Sequence, residues 1–109
     1  MRILLCLEDD YRTYREVIAA CIQILRPHAE VLTAHLDWLE VEVRRYDPHL
    51  VICSLPSTAG YGNLLCWVEL SLESSIQPTI VSIDGNYSEH DNPTLEKLLR
   101  LVDGVEQLI

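Results

Sequence analysis

The chain has 109 residues, of which 49% are hydrophobic and 23% are charged. A chain of this length and composition is expected to fold as one domain over residues 1–109, and to need neither a metal nor disulfides for stability. The 17 Asp and Glu residues outnumber the 8 Lys and Arg residues, which gives a net charge of −9. Because such a chain repels phosphate backbones and anionic lipids, the sequence predicts no binding to nucleic acid or to a membrane.

The sequence also predicts a cytoplasmic protein with reduced cysteines. The apolar run after Arg2 ends at Glu8 without a small-residue cleavage site, so no signal peptide is expected. The longest uncharged stretch, residues 49–68, contains Pro, Gly, Asn and Ser, which argue against a membrane span. The four cysteines are widely spaced among apolar neighbours, a pattern typical of buried thiols rather than of disulfides or a metal site.

In the first half of the chain, predicted strands alternate with predicted helices. Residues 2–7 form a nearly continuous apolar run, as in a central strand, and residues 11–26 place apolar side chains at helical spacing. A second strand is predicted over residues 30–34, a second helix over residues 37–46 and a third strand over residues 49–55. This βαβαβ order predicts a parallel sheet with helices on both sides.

The second half of the chain is less regular. Residues 57–63 indicate a Gly- and Ser-rich loop, whereas the periodicity of residues 64–71 fits either a helix or a strand. The strand is slightly favoured, and it would form a hairpin with an antiparallel strand over residues 79–83 through a tight connection over residues 73–78. Residues 92–109 predict a last helix with a regular apolar stripe.

Local signals mark several element ends. Asp10, Asp37 and Asn92 are predicted N-caps, because a short oxygen-bearing side chain can accept a hydrogen bond from an early helical N–H group. Pro93 suits the first position of the last helix. Asp84-Gly85-Asn86 is a strong turn signal after the strand over residues 79–83.

Oxygen-bearing side chains follow two of the predicted strands. Glu8, Asp9 and Asp10 follow the first strand, and Ser54 lies at the end of the third. Ligands of open parallel sheets bind at the carboxyl ends of strands, and carboxylates beside a hydroxyl suit a hard cation such as Mg²⁺. The same acids fit a solvated loop with a helix cap equally well, so both interpretations stay open.

Two segments resemble response-regulator receiver (CheY-like) domains. The opening Arg-Ile-Leu-Leu-Cys-Leu-Glu-Asp-Asp looks like the first strand and acidic pair of a receiver, and residues 47–56 resemble the segment that delivers its phospho-accepting aspartate. The resemblance covers residues 1–56 and implies a flavodoxin-like three-layer α/β sandwich with a mostly parallel sheet, to which the predicted hairpin would add an antiparallel edge. It implies that Glu8 and Asp9 hold Mg²⁺ and that Ser54 occupies the acceptor position.

The chain departs from the receiver pattern at the residues that phosphorylation uses. A serine hydroxyl without a general base is a poor nucleophile and would give a stable ester, whereas aspartate gives a labile acyl phosphate. The only lysine, Lys97, falls in the predicted last helix rather than at the end of a fifth strand. The switch Ser or Thr of receivers falls on Ser71 if residues 64–71 are a strand; if they are a helix, it falls on Ile83, with Ser82 one residue away.

The resemblance therefore implies a pseudo-receiver, which binds another signalling protein or a second copy of itself and is not phosphorylated on aspartate. Its partner surface would include Trp67, Tyr87 and Leu98, although core packing explains the two aromatic residues equally simply. Three alternatives stay open: a Mg²⁺-binding sensor, an active single-domain response regulator, and a homodimerisation module outside phosphorelays. Catalysis is not expected, because no Arg, Lys or His lies between Leu55 and Glu69 to form a base or an anion site.

Overall fold

The computed structural model describes residues 1–54, 66–70, 79–84, 86–90 and 94–109. Within these residues the strands are β1 (Arg2–Leu7), β2 (Glu30–His35), β3 (Leu50–Ser54), β4 (Cys66–Leu70), β5 (Thr79–Ile83) and β6 (Asn86–His90). The α-helices are α1 (Arg12–Leu25), α2 (Leu39–Tyr46) and α3 (Leu95–Leu108). Short 3-10 turns over Asp9–Tyr11 and Leu36–Trp38 precede α1 and α2.

The six strands form one mixed sheet in the order β2-β1-β3-β4-β5-β6. The pairs β1 with β2, β1 with β3, and β3 with β4 are parallel, whereas β5 pairs antiparallel with both β4 and β6. The predicted parallel sheet is therefore confirmed for β2, β1 and β3, to which β4 adds a further parallel strand, and the predicted antiparallel pair is confirmed as β4 and β5. The sheet as a whole is only partly parallel.

The antiparallel part of the sheet extends further than the sequence predicts. The strand interpretation of residues 64–71 is correct for Cys66–Leu70, and the helix interpretation is wrong there. β6 follows the predicted turn signal, but all five of its residues are exposed and show no apolar alternation that would predict a strand. The predicted loop over residues 57–63 and the predicted connection over residues 73–78 lie outside the described residues.

The buried side chains form a cluster on each face of the sheet. Leu5 of β1 and Ile52 of β3 belong to one cluster, which includes residues of α1 and α3. Cys6 and Cys53, the next residues along the same two strands, belong to the other cluster, which includes Leu39 of α2. Because successive side chains of a strand point to opposite faces, α1 and α3 lie on one face and α2 on the other.

The helices begin differently from the sequence prediction. Asp10 lies inside the turn over Asp9–Tyr11 and is not the N-cap of α1, which is Tyr11. Asp37 lies inside the next turn, where its backbone N–H donates to Nδ1 of His35 at 3.0 Å. The predicted caps at Asp10 and Asp37 are therefore wrong, because a 3-10 turn precedes each helix.

The N-cap of α3 is Thr94, whose Oγ1 accepts a hydrogen bond from the backbone N–H of Lys97 at 3.3 Å. The predicted cap Asn92 and the neighbouring Pro93 lie outside the described residues. Of the helices described, none is long and apolar enough to cross a membrane.

Hydrogen bonds join the amino-terminal ends of the parallel strands β1, β2 and β3. The backbone N–H of Arg2 donates to Nδ1 of His49 at 2.9 Å, and the N–H of His49 donates to the carbonyl of Arg2 at 2.9 Å. The N–H of Glu30 donates to the carbonyl of Met1 at 2.9 Å. Because Nδ1 accepts only when it is unprotonated, this arrangement favours the neutral imidazole. Burial, together with the charges of Arg2 and the N-terminus, lowers the pKa of His49 below its ordinary value.

We expect His49 to make the free energy of unfolding fall as the pH is lowered. Its pKa is lower in the folded chain than in the unfolded chain, so its contribution is complete above the unfolded-state pKa of about 6.5 and is lost as the pH falls through the folded pKa. The contribution of His49 to the free energy of unfolding can be measured by urea unfolding of the wild type and of His49→Gln. The measurement is made at several pH values between neutral and mildly acidic. The variant should show the weaker pH dependence, and equal dependence in the two proteins would contradict the prediction.

We expect Leu98→Ala to lower the free energy of unfolding by about 2–5 kcal/mol, because the substitution leaves a cavity in the cluster beneath α3. Leu98 is only 1% exposed. Its neighbour Lys97 is exposed on the same helix, so Lys97→Ala should change the value by less than about 0.5 kcal/mol. Urea denaturation of both variants checks the difference, and similar values for the two would show that Leu98 is not a core residue.

Candidate functional site

Parallel pairing brings the carboxyl ends of β1, β2 and β3 together. Leu7 of β1 is paired with His35 of β2, and Cys6 of β1 is paired with Cys53 of β3. Glu8 and Ser54 follow these pairs directly along the chain. The structure thus places Glu8 beside Ser54, as the sequence predicts, and it adds the end of β2 on the other side.

Ser54 joins the end of β3 to the segment that leaves β1. Its Oγ accepts a hydrogen bond from the backbone N–H of Glu8 at 3.2 Å, and the residue is 2% exposed. Among the described residues, no side chain makes a hydrogen bond with this hydroxyl. A buried hydroxyl in this arrangement fixes the backbone around Glu8, and no base of the described residues is hydrogen-bonded to it to activate it as a nucleophile.

A histidine that the sequence analysis did not single out lies beside the acidic segment. Nε2 of His35 is 3.4 Å from Oδ2 of Asp9, and Nδ1 of His35 is 3.4 Å from Oδ2 of Asp37. These contacts are ion pairs only when His35 is protonated. His35 is the residue after the predicted second strand, so the rule that placed Glu8 and Ser54 at strand ends would also have found it.

The acids do not form a recognisable metal centre within the parts of the chain that the structure describes. There, no three His, Cys, Asp or Glu side chains are grouped as metal ligands. The side chain of Asp9 is 75% exposed and contacts His35 on β2. Glu8 and Asp9 stay the predicted Mg²⁺ ligands, and a cation held there would have to complete its coordination largely with water.

Arg15 brings a positive charge to these strand ends. Its Nη1 donates to the carbonyl of Ala34 at 3.0 Å and to the carbonyl of Leu7 at 3.5 Å. One guanidinium group thereby connects α1 to the carboxyl ends of β1 and β2. Its Nε is buried and makes no hydrogen bond within the described residues.

The two thiols nearest the strand ends are protonated at neutral pH. Burial, with a smaller contribution from Glu42, raises the pKa of Cys6 to about 12. Burial also raises the pKa of Cys53, as do the nearby Glu69 and Cys6. Sγ of Cys53 lies 3.5 Å from the carbonyl of Val68, as a weak donor would. A thiol is a nucleophile or a metal ligand only as the thiolate, so neither cysteine is prepared for that chemistry.

The predicted partner residues Trp67 and Tyr87 are in contact. Trp67 of β4 is paired with Ser82 of β5, which is paired in turn with Tyr87 of β6. The two aromatic rings meet edge to face, with their centroids 5.9 Å apart and an angle of 83° between their planes. Trp67 is half-buried, whereas Tyr87 is 70% exposed. Tyr87 therefore lies on the same face of the sheet as Trp67, at the margin where that face becomes exposed to solvent.

Leu98 lies apart from this aromatic pair, whereas the switch candidate Ser82 lies between its two residues. Leu98 is buried in the cluster of α1 and α3, on the face opposite Trp67, so it does not contribute to an exposed surface with the aromatic residues. Ser82 is buried between the two aromatic residues. Ser54 lies on the face opposite Ser82, because it follows Leu50 and Ile52 at a two-residue spacing. Ser71 lies outside the described residues.

The chain matches no protein-family model, no curated protein and no solved structure. The receiver resemblance therefore depends on residues 1–56 alone and stays an expectation.

We expect Ser54→Ala to lower the free energy of unfolding by about 1–3 kcal/mol, because it leaves the N–H of Glu8 without its acceptor in a partly buried position. Ser88 of β6 is exposed, so Ser88→Ala should cost less than about 0.5 kcal/mol. Urea denaturation measures both values. Equal values for the two variants would show that the hydroxyl of Ser54 does not hold the two strand ends together.

Proposed function

We propose that the protein is a pseudo-receiver, a non-catalytic signalling module that binds a protein partner and does not pass a phosphoryl group through an aspartate. The observation that carries the proposal is Ser54. At the end of β3, where receivers have the acceptor aspartate, this chain has a buried hydroxyl that is hydrogen-bonded to the backbone of Glu8. A group in this position stabilises two strand ends, and within the described part of the chain no base is hydrogen-bonded to it to make it react.

The order of the strands supports a relationship to the flavodoxin-like architecture of receivers. The order β2-β1-β3-β4-β5 is the order of that architecture, and helices cover both faces of the sheet. The chain departs from it at β5, which is antiparallel to β4. We interpret the fold as a receiver-like half, β1 to β4, followed by an antiparallel half, β5 and β6.

The reversed β5 also argues against phosphorylation. A parallel fifth strand would end at the same edge of the sheet as Ser54, with β4 between them, and there receivers place a lysine that contacts the phosphoryl group. Here the carboxyl-terminal residue of β5, Ile83, is paired with Cys66, the first residue of β4, so β5 ends at the opposite end of the sheet. Lys97, the only lysine, is exposed on α3. Neither β5 nor Lys97 supplies the missing cation.

A second candidate function is a Mg²⁺-binding sensor without phosphorylation. It is favoured by the acidic side chains at the carboxyl ends of the strands, where Asp37 joins Asp9 around His35. It is weakened by the exposure of Asp9 and by the lack of a three-ligand group in the described residues. Both candidate functions suit a cytoplasmic protein.

Amide NMR spectra of the ¹⁵N-labelled protein separate these functions. We expect beryllofluoride, which mimics an acyl phosphate, to cause no further shift of the amide signals of Glu8, Asp9 and Ser54 when it is added in the presence of Mg²⁺, because no carboxylate occupies the acceptor position. An active receiver treated in the same way is the positive control. Beryllofluoride-dependent shifts at these residues would contradict the proposal, and shifts with Mg²⁺ alone that disappear in Asp9→Asn would favour the sensor.

A further inference from the structure

The lateral edge of the sheet at β6 is open. β6 is the last strand in the sheet order and is paired only with β5. Its residues, Asn86 to His90, are all exposed. The backbone N–H and C=O groups that point away from β5 have no neighbouring strand among the described residues, and such groups can pair with an added strand.

The other lateral edge of the sheet, β2, is more covered. The carbonyl of Glu30 accepts a hydrogen bond from the hydroxyl of Tyr46 at 3.2 Å, and the carbonyl of Ala34 accepts one from Arg15 at 3.0 Å. Four of the six residues of β2 are partly buried. Side chains of α1 and α2 therefore already occupy parts of β2, whereas no helix of the described chain contributes a hydrogen bond to β6.

The charge of the chain is distributed unevenly, and β6 lies in its acidic part. Between Arg45 and Lys97 the sequence contains no Lys or Arg, and three carboxylates, those of Asp84, Glu89 and Asp91, lie within β6 or within two residues of it in the sequence. Both strands of the antiparallel half, β5 and β6, belong to this stretch, as does β4. A basic partner is therefore complementary to β6, whereas a second copy of the chain would bring two acidic edges together.

One face of β6 suits a basic side chain in particular. Tyr87 and Glu89 are two residues apart, so their side chains lie on the same face of the strand. Tyr87 is 70% exposed, and its ring is supported by the edge-to-face contact with Trp67. A Lys or Arg on an added strand would lie above the aromatic ring and beside the carboxylate, where both groups attract it.

We propose that β6 binds an extended segment of a partner protein by strand addition, and that this segment carries Arg or Lys at alternate positions along Tyr87 and Glu89. The inference rests on the proposed function, because it specifies the chemical character of the protein partner that the pseudo-receiver would bind. The backbone of β6 provides the affinity for any extended chain, and the acidic, aromatic face selects a basic one.

The probe is an eight-residue peptide of alternating Arg and Val, blocked at both ends and titrated into the ¹⁵N-labelled full chain. We expect it to shift the amide signals of β6 and to leave those of β2 unchanged. Two control peptides have the same length: one replaces Arg by Glu, and the other keeps Arg but carries N-methyl groups on alternate amides. Both should bind more weakly than the Arg-Val peptide, because the first loses the charge complementarity and the second loses the backbone hydrogen bonds.

Matched variants test where the charge acts. Glu89→Lys should weaken binding of the Arg-Val peptide about tenfold, as expected for reversing one close charge pair. Glu16→Lys makes the same change of charge at an exposed position of α1 and should change the affinity less than about twofold at physiological salt, because a charge more than a Debye length away is screened. Equal weakening by the two substitutions would overturn the proposal, since it would show attraction to the whole acidic chain.

Other results would also overturn it: no binding of the Arg-Val peptide, undiminished binding of the N-methylated peptide, shifts confined to β2, or a dimer without peptide in which the β6 amides are protected. The proposed function is tested independently of the strand addition, because the beryllofluoride experiment reads the amide signals of Glu8, Asp9 and Ser54 and the peptide experiment reads those of β6. Beryllofluoride shifts together with peptide binding at β6 would overturn the pseudo-receiver and retain the strand addition. No effect of either reagent would overturn the strand addition alone.

Discussion

The reversal of chain direction between β4 and β5 is the constraint on which the rest of this structure depends. Only residues 71–78 separate the two strands, which is fewer than the dozen or so residues that a parallel crossover needs. The chain must therefore return antiparallel. That return sends the carboxyl end of β5 away from Ser54 and places β6 at a lateral edge of the sheet. The short connection between β4 and β5 thus has two consequences. No β5 residue brings a cation to the edge of the sheet that holds Ser54, and the backbone edge of β6 is open to an added strand.

The sequence predicted the elements whose burial leaves a regular pattern. β1 and β3 are buried on both faces and appear as continuous apolar runs, so their positions were confirmed to within a residue or two. In β4, the buried Glu69 interrupts an otherwise apolar strand, so periodicity alone could not separate a strand from a helix. β6 could not be predicted in this way, because it is held by backbone pairing with β5 and buries none of its residues.

The candidate site was predictable to the extent that it follows from strand ends. The sequence alone predicts Glu8 beside Ser54, because neighbouring parallel strands such as β1 and β3 have their carboxyl ends at the same edge of the sheet. The hydrogen bond between them, and the position of His35 between Asp9 and Asp37, depend on a 3-10 turn after each strand. Asp10 and Asp37 looked like helix caps for the same reason, because the spacing of apolar residues does not distinguish a 3-10 turn from the first turn of an α-helix.

The exposure of β6 has a consequence for how the molecule opens. A strand with one neighbour and no buried residue exposes little apolar surface when it separates from the sheet, chiefly at the contact of Tyr87 with Trp67, so its opening costs far less free energy than global unfolding. The strands β1 and β3, buried on both faces, open only with the whole domain. The chain therefore combines a cooperative core with a lateral strand, β6, that can leave or rejoin the sheet. Opening of β6, or addition of a strand to it, changes the edge of the sheet and leaves the core intact.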